Sequence, residues 1–292
     1  MSEFNTVGII GRESDAVGES LRVLSSFLAD QKVGIMLGES IANLLPDNPY
    51  PVNTTSKLGE SCDLIIVLGG DGSLLGAARQ LARHNVPVLG INRGRLGFLT
   101  DILPEELEEK VGAVLKGEYV LEKRFLLSAI VKRAGEVIGR AEALNDVVVN
   151  SGTSAQMIEF NVYVDDEFVY PQRSDGLIVS TPTGSTAYSL SGGGPIMHPK
   201  LDAVVLVPMF PHTLSSRPIV IDGNSEIRIE INESNEIHPP VTCDGQVHLT
   251  AMPGDTVYIT KRRHKLKLLH PTDHSFYASC RDKLGWGTGL IN

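Results

Sequence analysis

The apolar positions in the first hundred residues fall into short runs separated by segments with helical spacing. Runs such as Val7–Ile10, Leu64–Leu68 and Val86–Ile91 are too short for helices and too apolar for half-exposed strands, which predicts strands buried on both faces. Between such runs, apolar side chains recur at helical intervals, as in residues 16–28. Strands that alternate with helices in this way predict a doubly wound domain with a parallel sheet.

Beyond Tyr119 the pattern changes, and short alternating runs bounded by turn residues predict a succession of strands. A helix with Pro104 in its first turn is expected to connect the two parts. A last helix is expected over Ser275–Leu284, docked on the first domain. The predicted fold class is an N-terminal doubly wound α/β domain with a C-terminal β-rich, sandwich-like domain. We predict domain boundaries at 1–121, 122–270 and a C-terminal segment 271–292.

The predicted strand Leu64–Leu68 runs into a Gly-Gly-Asp-Gly turn, Gly69–Gly72, and a helical pattern begins at Ser73. This junction places Asp71 at the carboxyl end of a buried strand, where open α/β sheets bind ligands. Glycines there let a phosphate or ribose approach the backbone amides, and either Asp71 or Ser73 is expected to cap the helix. An isolated Gly-Asp-Gly is also a common turn. The segment has neither a Walker A lysine nor the dinucleotide glycine spacing.

A second loop, Asn92–Leu99, follows the next predicted strand and is expected at the same edge of the sheet. Its Arg93 and Arg95 either face phosphates or only cap neighbouring structure. The sequence alone favours neither interpretation.

Residues 180–194 form a segment rich in serine, threonine and glycine. A flexible linker shares that composition, but the apolar strand before it and the packing anchors Tyr188 and Leu190 favour a ligand-binding loop. Its hydroxyls, free amides and phenol ring suit a nucleotide. Just upstream, Arg173 and Asp175 are placed to meet the same ligand.

Two further polar stretches have both a binding and a structural interpretation. Asn145-Asp146 begins a predicted strand, and an adjacent amide and carboxylate suit a ribose diol, although the pair is also typical of a turn. Thr242–Gln246 is favoured as a hairpin turn.

Composition limits the classes of partner and compartment. The net charge of −9 and a pI near 5.4 argue against nucleic acid and anionic membranes. The one basic run, Lys261–Lys267, is favoured as a solvated edge strand; attraction of an anionic substrate is the alternative. Three cysteines without paired spacing fit neither a disulfide framework nor a zinc site, which predicts a reducing cytoplasm. Neither a leader nor a membrane span is expected.

The order and spacing of three motifs closely resemble the NAD kinase family, most of all its ATP-dependent bacterial members of Gram-negative type. The motifs are Gly69–Gly72, Asn145-Asp146 and the stretch Asp175–Tyr188, with its Thr-Pro-Thr-Gly segment. The glycine turn is shared with phosphofructokinases and with diacylglycerol and sphingosine kinases, whereas the Thr-Pro-Thr-Gly stretch is specific to NAD kinases. The resemblance runs along the whole chain.

The resemblance implies an α/β domain joined to a β-rich domain, with NAD bound in a cleft and phosphorylated by ATP on its adenosine 2′-hydroxyl. By position, Asp71 would accept the hydroxyl proton, Gly72 would approach the ligand, and Asn145 and Asp146 would hold the adenine-side nucleoside. The remaining implied pocket residues are Gln156, Arg173, Asp175, Thr186, Ala187, Tyr188, Ser189, Leu190, Ser191 and Gln246.

Two positions depart from the family pattern. The family usually has glutamate after the asparagine, and Asp146 is one methylene shorter, so its contact is expected to be longer or water-bridged. Gln156 stands where relatives often carry a basic residue, which puts a charge contact to phosphate in doubt there.

The resemblance also implies cofactors and partners. ATP is the implied donor, and a divalent ion, Mg²⁺, is expected to arrive with its phosphates; no metal ligand of the chain is assigned. A homo-oligomer, a tetramer, is implied, and Arg173 implies preference for NAD over NADH, with Asp175 or a neighbouring subunit's acid balancing its charge. Two alternatives are another kinase with this turn, acting on a sugar phosphate or a lipid, and a non-catalytic NAD or NADP sensor.

Overall fold

The computed structural model describes residues 2–94, 97–152 and 156–286. The chain divides into two compact units, residues 1–123 with 264–292 and residues 124–263. The chain passes from one unit to the other at two places, 123/124 and 263/264, and each lies inside a long strand, 120–133 or 256–270. The domain boundaries predicted from the sequence, after residues 121 and 270, remain predictions; each lies within a few residues of one of these two places.

The first unit is a parallel sheet with intervening helices, as the sequence predicts. Its strands pair in the order β5-β4-β1-β2-β3, all in parallel. The end of a later strand, residues 267–269, continues the sheet in parallel beside β5. The elements are β1 (Thr6–Gly11), α1 (Asp15–Asp30), β2 (Gly34–Gly38), β3 (Val52–Asn53), α2 (Thr55–Ser61), β4 (Leu64–Leu68), α3 (Asp71–Leu81), β5 (Pro87–Ile91) and α4 (Leu107–Leu115).

The core of the first unit follows from the apolar pattern of these elements. All five residues of β4 are buried, as expected for a central strand covered on both faces. The apolar stripe of α1 packs on the sheet, and Ser14 caps the helix by accepting a hydrogen bond from the Val17 amide. The sheet therefore holds the β4–α3 turn on a rigid base.

The second unit is almost entirely antiparallel β-structure. One sheet has the order β13-β12-β11-β8-β15-β16; a second group pairs as β10-β9-β14-β17, and β6 pairs with β7. The elements are β6 (Val120–Arg133), β7 (Glu136–Ala143), β8 (Asp146–Asn150), β9 (Ile158–Val164), β10 (Glu167–Ser174), β11 (Gly176–Ser180), α5 (Tyr188–Ser191), β12 (Ala203–Met209), β13 (Ile219–Asp222), β14 (Ile227–Ile231), β15 (Pro240–Cys243), β16 (Val247–Thr250) and β17 (Thr256–His270).

One apolar core lies between these sheets. It contains inward-facing residues of both, such as Val147 and Leu206 from one and Phe160 and Ile229 from the other. This arrangement confirms the sandwich-like interpretation of the second half. A buried Asp255 carboxylate forms two hydrogen bonds with Arg133, at 2.8 and 2.9 Å, so its charge is paired within the unit.

The interpretation of the basic run as an edge strand is wrong. Lys261–Lys267 lies in the middle of β17, which pairs with β14 near its start and with β5 near its end. The charges of this run correctly predict exposure to solvent, which is observed at residues 262–265, but they do not show which strands pair with it. Its charge is partly balanced within the second unit, because Lys261 contacts Asp202 and Arg262 contacts Glu142.

The predicted terminal helix is present as α6 (Phe276–Leu284), which Ser275 caps by accepting a hydrogen bond from the Ala278 amide. Just before it, Asp273 forms an ion pair with Lys110 of α4.

Cys62, Cys243 and Cys280 are buried, and none of the three is in a disulfide bond. Among the helices that the structure describes, we find none with the length and apolar character needed to cross a bilayer.

Candidate active site

The Gly-Gly-Asp-Gly turn joins β4 to α3 and sets the position of Asp71. Gly69 has φ +149°, and a side chain there would overlap Ser73. The helix begins at Asp71 with Gly70 as its N-cap, and no side chain caps it. The expectation that Asp71 or Ser73 caps the helix is therefore wrong, because the Asp71 carboxylate is engaged elsewhere.

The Asp71 carboxylate is held by the second loop of the same sheet edge. Oδ2 accepts a hydrogen bond from the Phe98 amide at 2.9 Å. Oδ1 accepts three, from the Leu99 amide at 3.1 Å and from the amide and hydroxyl of Thr100 at 3.2 and 3.1 Å. Because a carboxylate oxygen has two lone pairs, Oδ2 is the atom with remaining capacity to accept a proton or a hydrogen bond.

This contact requires a glycine in the loop and is supported by an asparagine. A Cβ at Gly97 would overlap Asp71 Oδ1, so only glycine allows this approach. The Asn92 side chain donates to the Thr100 hydroxyl at 2.8 Å and accepts from the Arg93 amide at 2.6 Å. The predicted meeting of the two loops at one sheet edge is thus observed in atomic contacts. Arg95, the other arginine of this loop, lies outside the described residues.

A cavity of about 660 Å³ opens beside Asp71 within the first unit. Its lining combines the carboxylate with two cations, Arg93 and Lys283, and with the first turns of two helices, at Ala16 and Gly70. Free amides of helix N-termini and basic side chains attract anionic groups. This lining has the chemistry of a polyphosphate site.

The same lining is a poor resident site for a divalent metal. Asp71 is the only carboxylate among the described residues around the cavity, and its oxygens already accept four hydrogen bonds. Mg²⁺ usually takes one or two carboxylates together with substrate phosphates. The described lining therefore offers such an ion at most one carboxylate of the chain.

In the second unit, Asn145 and Asp146 stand where β8 begins, opposite the end of β11. Asp146 pairs with Ser180, and the amide of Thr181 and the hydroxyl of Ser180 both donate to the Asn145 carbonyl, at 2.9 and 3.2 Å. A side chain at Gly184 would overlap that carbonyl. The serine–threonine loop is thus fastened to the Asn145-Asp146 segment.

Asp146 is buried beside a second carboxylate. Asp244 accepts hydrogen bonds from the amides of Leu144, Asn145 and Asp146 at 3.1, 2.7 and 3.4 Å. Burial, together with the nearby charge of Asp244, raises the pKa of Asp146 to about 7. Asp146 therefore changes its protonation state near neutral pH.

The predicted ligand loop is folded, which argues against the linker interpretation. A short 3₁₀-helix over Gly184–Thr186 leads through Ala187 into α5. Ser185 fixes the loop from inside, since its hydroxyl donates to the Pro182 carbonyl at 2.7 Å and accepts from the Met197 amide at 2.9 Å. Tyr188 leaves nearly half of its surface exposed, so its ring is open to a stacking partner.

Counting only contacts among the described residues, two polar atoms in this region are buried without a hydrogen-bond partner, Asn145 Oδ1 and Ser189 Oγ. Such atoms are costly unless a ligand or water satisfies them. The structure thus brings together nine of the implied residues around one sheet end: Asn145, Asp146, Thr186, Ala187, Tyr188, Ser189, Leu190, Ser191 and, through the Asp244–Gln246 turn, Gln246.

The other implied residues of this unit lie at the opposite end of β11. Asp175 precedes Gly176, and Gln156 precedes β9, whose Ile158 pairs with Ser174. Arg173 Nε lies 3.7 Å from Glu159 Oε1. The charge of Arg173 is therefore balanced by Glu159, whereas the sequence led us to expect Asp175 or an acid of a neighbouring subunit.

Sequence reasoning missed Thr100 and Lys283, and it took Asp244 only as part of a hairpin turn. Thr100 and Asp244 act through backbone and loop contacts that have no local pattern. Lys283 follows Asp71 by more than two hundred positions, and its only sequence signal is a cation in the last turn of a helix.

Two family models match the chain: the ATP-NAD kinase N-terminal domain over residues 14–119 and the ATP-NAD kinase C-terminal domain over residues 144–271. The chain is 60% identical to the NAD kinase of Pseudomonas putida strain GB-1, covering 99% of this chain and 98% of that protein. It is 61% identical to the NAD kinase of Teredinibacter turnerae, covering all of both chains.

Two solved structures have the same fold. Yeast NADH kinase complexed with NADH aligns with a TM-score of 0.86 at 25% identity, over 98% of this chain and 89% of that one. An NAD kinase from Archaeoglobus fulgidus in complex with ATP aligns with a TM-score of 0.73 at 25% identity, over 95% and 99%.

The pKa of Asp146 predicts a pH-dependent stability. Between about pH 4 and 7 the folded chain holds a proton on Asp146 that the unfolded chain has released, so stability falls as the pH rises through this interval and the loss is complete above it. Asp146→Asn should flatten this dependence and stabilise the chain at pH 8, on the order of a few kcal/mol. Urea unfolding at several pH values measures it. The exposed Asp166→Asn is the control, and identical slopes in wild type and Asp146→Asn would contradict the prediction.

Proposed function

This chain belongs to the NAD kinase family, and we propose that it transfers the γ-phosphoryl group of ATP to the adenosine 2′-hydroxyl of NAD, giving NADP and ADP. The observation that supports this best is Asp71, a carboxylate fixed at the carboxyl end of β4 beside a cavity with phosphate-binding chemistry.

In the proposed reaction the 2′-hydroxyl donates a hydrogen bond to Asp71 Oδ2 and loses its proton to this oxygen. The 2′-oxygen forms a bond to the γ-phosphorus, and the bond from that phosphorus to the β,γ-bridging oxygen breaks. Phosphoryl transfer depends mainly on positioning and charge neutralisation. The four hydrogen bonds to Asp71 supply the positioning.

Arg93, Lys283 and the first turn of α1 are proposed to hold the ATP phosphates, because they line the cavity beside Asp71. Mg²⁺ is proposed to enter with ATP as part of the substrate. In the second unit, Asn145 and Asp146 are proposed to bind the adenine-side nucleoside, with Gln156, Asp175, Gln246 and the loop 186–191 completing the NAD contacts there. Gly72, next to Asp71 in the first unit, is proposed to approach the ligand. The unsatisfied Asn145 Oδ1 and Ser189 Oγ support a ligand there.

Incubation with NAD, compared with parallel NAD-binding and alternative-acceptor assays, separates this function from its alternatives. Purified chain is mixed with NAD, ATP and Mg²⁺, and NADP is measured with an NADP-specific dehydrogenase. The proposal requires NADP that depends on both substrates. Binding of NAD without turnover would instead indicate a sensor, and ADP formed only with a sugar phosphate or a lipid would indicate another kinase of this turn type.

The proposal includes a homo-oligomer, a tetramer, in the cytoplasm. Short strands leave sheet edges and faces that a partner subunit would cover. Light scattering at assay concentration measures the number of subunits. A fully active monomer would contradict the proposed tetramer.

We expect Asp71→Asn to lower kcat by about a hundredfold to ten-thousandfold, because the amide cannot take the proton. It should also lower the free energy of unfolding by about 1–3 kcal/mol, since one amide nitrogen would face backbone N–H donors. Thr100→Val is the matched control: it removes one hydrogen bond to Asp71 but keeps the carboxylate. Its kcat should stay within about tenfold of wild type. Equal losses in the two variants would assign Asp71 to loop structure alone.

We expect Lys283→Met to raise the KM for ATP by about tenfold or more, because the variant loses one charge-assisted contact with the phosphates. The KM for NAD should change little. Steady-state kinetics with each substrate varied measures this split. Lys265→Met, at an exposed position of the first unit, is the control. An unchanged KM for ATP in Lys283→Met would exclude this lysine from the phosphate site.

We expect Arg173 to favour NAD over NADH. Because Glu159 balances its charge, we attribute the preference to steric and hydrogen-bond effects on the puckered reduced ring. Arg173→Gly should therefore lower the ratio of kcat/KM for NAD to that for NADH. Arg262→Gly serves as the control for loss of an exposed arginine. An unchanged ratio in Arg173→Gly would exclude this residue as the selector.

A further inference from the structure

A cluster of two histidines and one aspartate lies within the first unit, outside the residues assigned to NAD and ATP. Asp101 Oδ2 is 2.9 Å from His270 Nδ1 and 2.7 Å from His274 Nδ1. The two imidazole rings are stacked, with centroids 3.8 Å apart and planes 19° apart. One carboxylate oxygen thus faces two ring nitrogens at once.

The cluster is buried and incompletely satisfied. The His270 side chain is fully buried, and those of Asp101 and His274 are each 8% exposed. Within the part of the chain that the structure describes, Asp101 Oδ1 has no hydrogen-bond partner, although a buried carboxylate oxygen normally has at least one. An acceptor of this kind beside two ring nitrogens suits a cation.

We propose that Asp101, His270 and His274 bind one divalent transition-metal ion, with zinc the best match. Two imidazoles and a carboxylate suit zinc and its neighbours, whereas Mg²⁺ and Ca²⁺ prefer oxygen ligands. One ligand atom from each residue lies within 4.8 Å of the others. Ligands about 2.0–2.1 Å from a tetrahedral zinc ion are about 3.3 Å apart, so small side-chain rotations suffice to admit the ion.

Glu122 provides the outer support that metal-bound histidines usually have. Its Oε2 lies 3.6 Å from Nε2 of His270, the ring nitrogen opposite the one that faces Asp101. With the ion on Nδ1, the ring proton lies on Nε2, and the negative charge of Glu122, 3.6 Å away and beyond hydrogen-bond distance, favours that tautomer. Glu122 also offsets the single positive charge that a divalent ion, two neutral imidazoles and one carboxylate leave.

The cluster has an entry path and room for a fourth ligand. A cavity of about 260 Å³ reaches both Asp101 and His274 and is also lined by Asp273 and Ser275. A water molecule can complete a tetrahedral set from this side.

The three proposed metal ligands belong to two segments of the first unit that are far apart in sequence. Asp101 directly follows Thr100, which donates two hydrogen bonds to Asp71. His270 ends β17, and His274 precedes α6. The bound ion therefore links the loop that holds Asp71 to the segment that leads to Lys283, and it stabilises the folded chain by binding it selectively.

The test uses the full chain, stripped with a chelator and then loaded with zinc alone. After dialysis we expect one zinc ion per chain by elemental analysis, a higher Tm than the stripped protein, and visible absorption of tetrahedral type when Co²⁺ replaces zinc. His274→Asn is the decisive variant, because its amide can still donate to Asp101 but is a poor metal ligand. It should lose the cobalt spectrum and bind zinc at least tenfold more weakly.

His264→Asn, at an exposed position of the same unit, should behave as wild type. Equal zinc content and affinity in wild type and His274→Asn would overturn the proposal and leave the cluster as a hydrogen-bonded one. Should His274→Asn fail to fold, the wild-type titration decides alone, since a wild-type chain without stoichiometric zinc or a tetrahedral cobalt spectrum also overturns it.

Discussion

The site in the first unit depends on the Asp71 carboxylate, which must bind the loop at residues 98–100 and still keep one oxygen available to a substrate hydroxyl. Four donors from residues 98–100 hold Asp71, and three of them converge on Oδ1. Removing these donors would let the side chain swing, whereas satisfying both oxygens fully would leave no acceptor for a substrate hydroxyl. The asymmetry between Oδ1 and Oδ2 is therefore the feature that lets one side chain anchor a loop and face a ligand.

The second unit meets a different constraint, because it places two carboxylates side by side. Asp244 is held by three backbone amides, and Asp146, buried next to it, has its pKa raised to about 7. Both acids are located where two orphan polar atoms, Asn145 Oδ1 and Ser189 Oγ, also lie. Concentrating unsatisfied polar groups at one sheet end costs stability, which is typical of a site whose ligand completes the hydrogen bonding.

Several elements of the fold could be predicted from the sequence because each depends on residues that are close together along the chain. The buried β4, the glycine turn after it and the helix after Ser275 each have a compact signature, and the motif order indicates the family. Features that depend on distant pairing could not be predicted. The side chain of Asp71 does not cap α3, since residues 98–100 bind it, and the basic run lies inside β17 because strands from both sides pair with it. Lys283 and the Asp101 cluster join segments separated by more than 160 positions.

The most direct test of the account is a crystal structure with NAD and a non-hydrolysable ATP analogue, in which the distance from Asp71 Oδ2 to the adenosine 2′-oxygen is measured. We expect a hydrogen bond of about 2.6–3.2 Å, with Oδ1 still bound to Thr100 and the analogue's phosphates beside Arg93 and Lys283. A 2′-oxygen that contacts another base, or an Asp71 carboxylate released from the loop, would contradict the account.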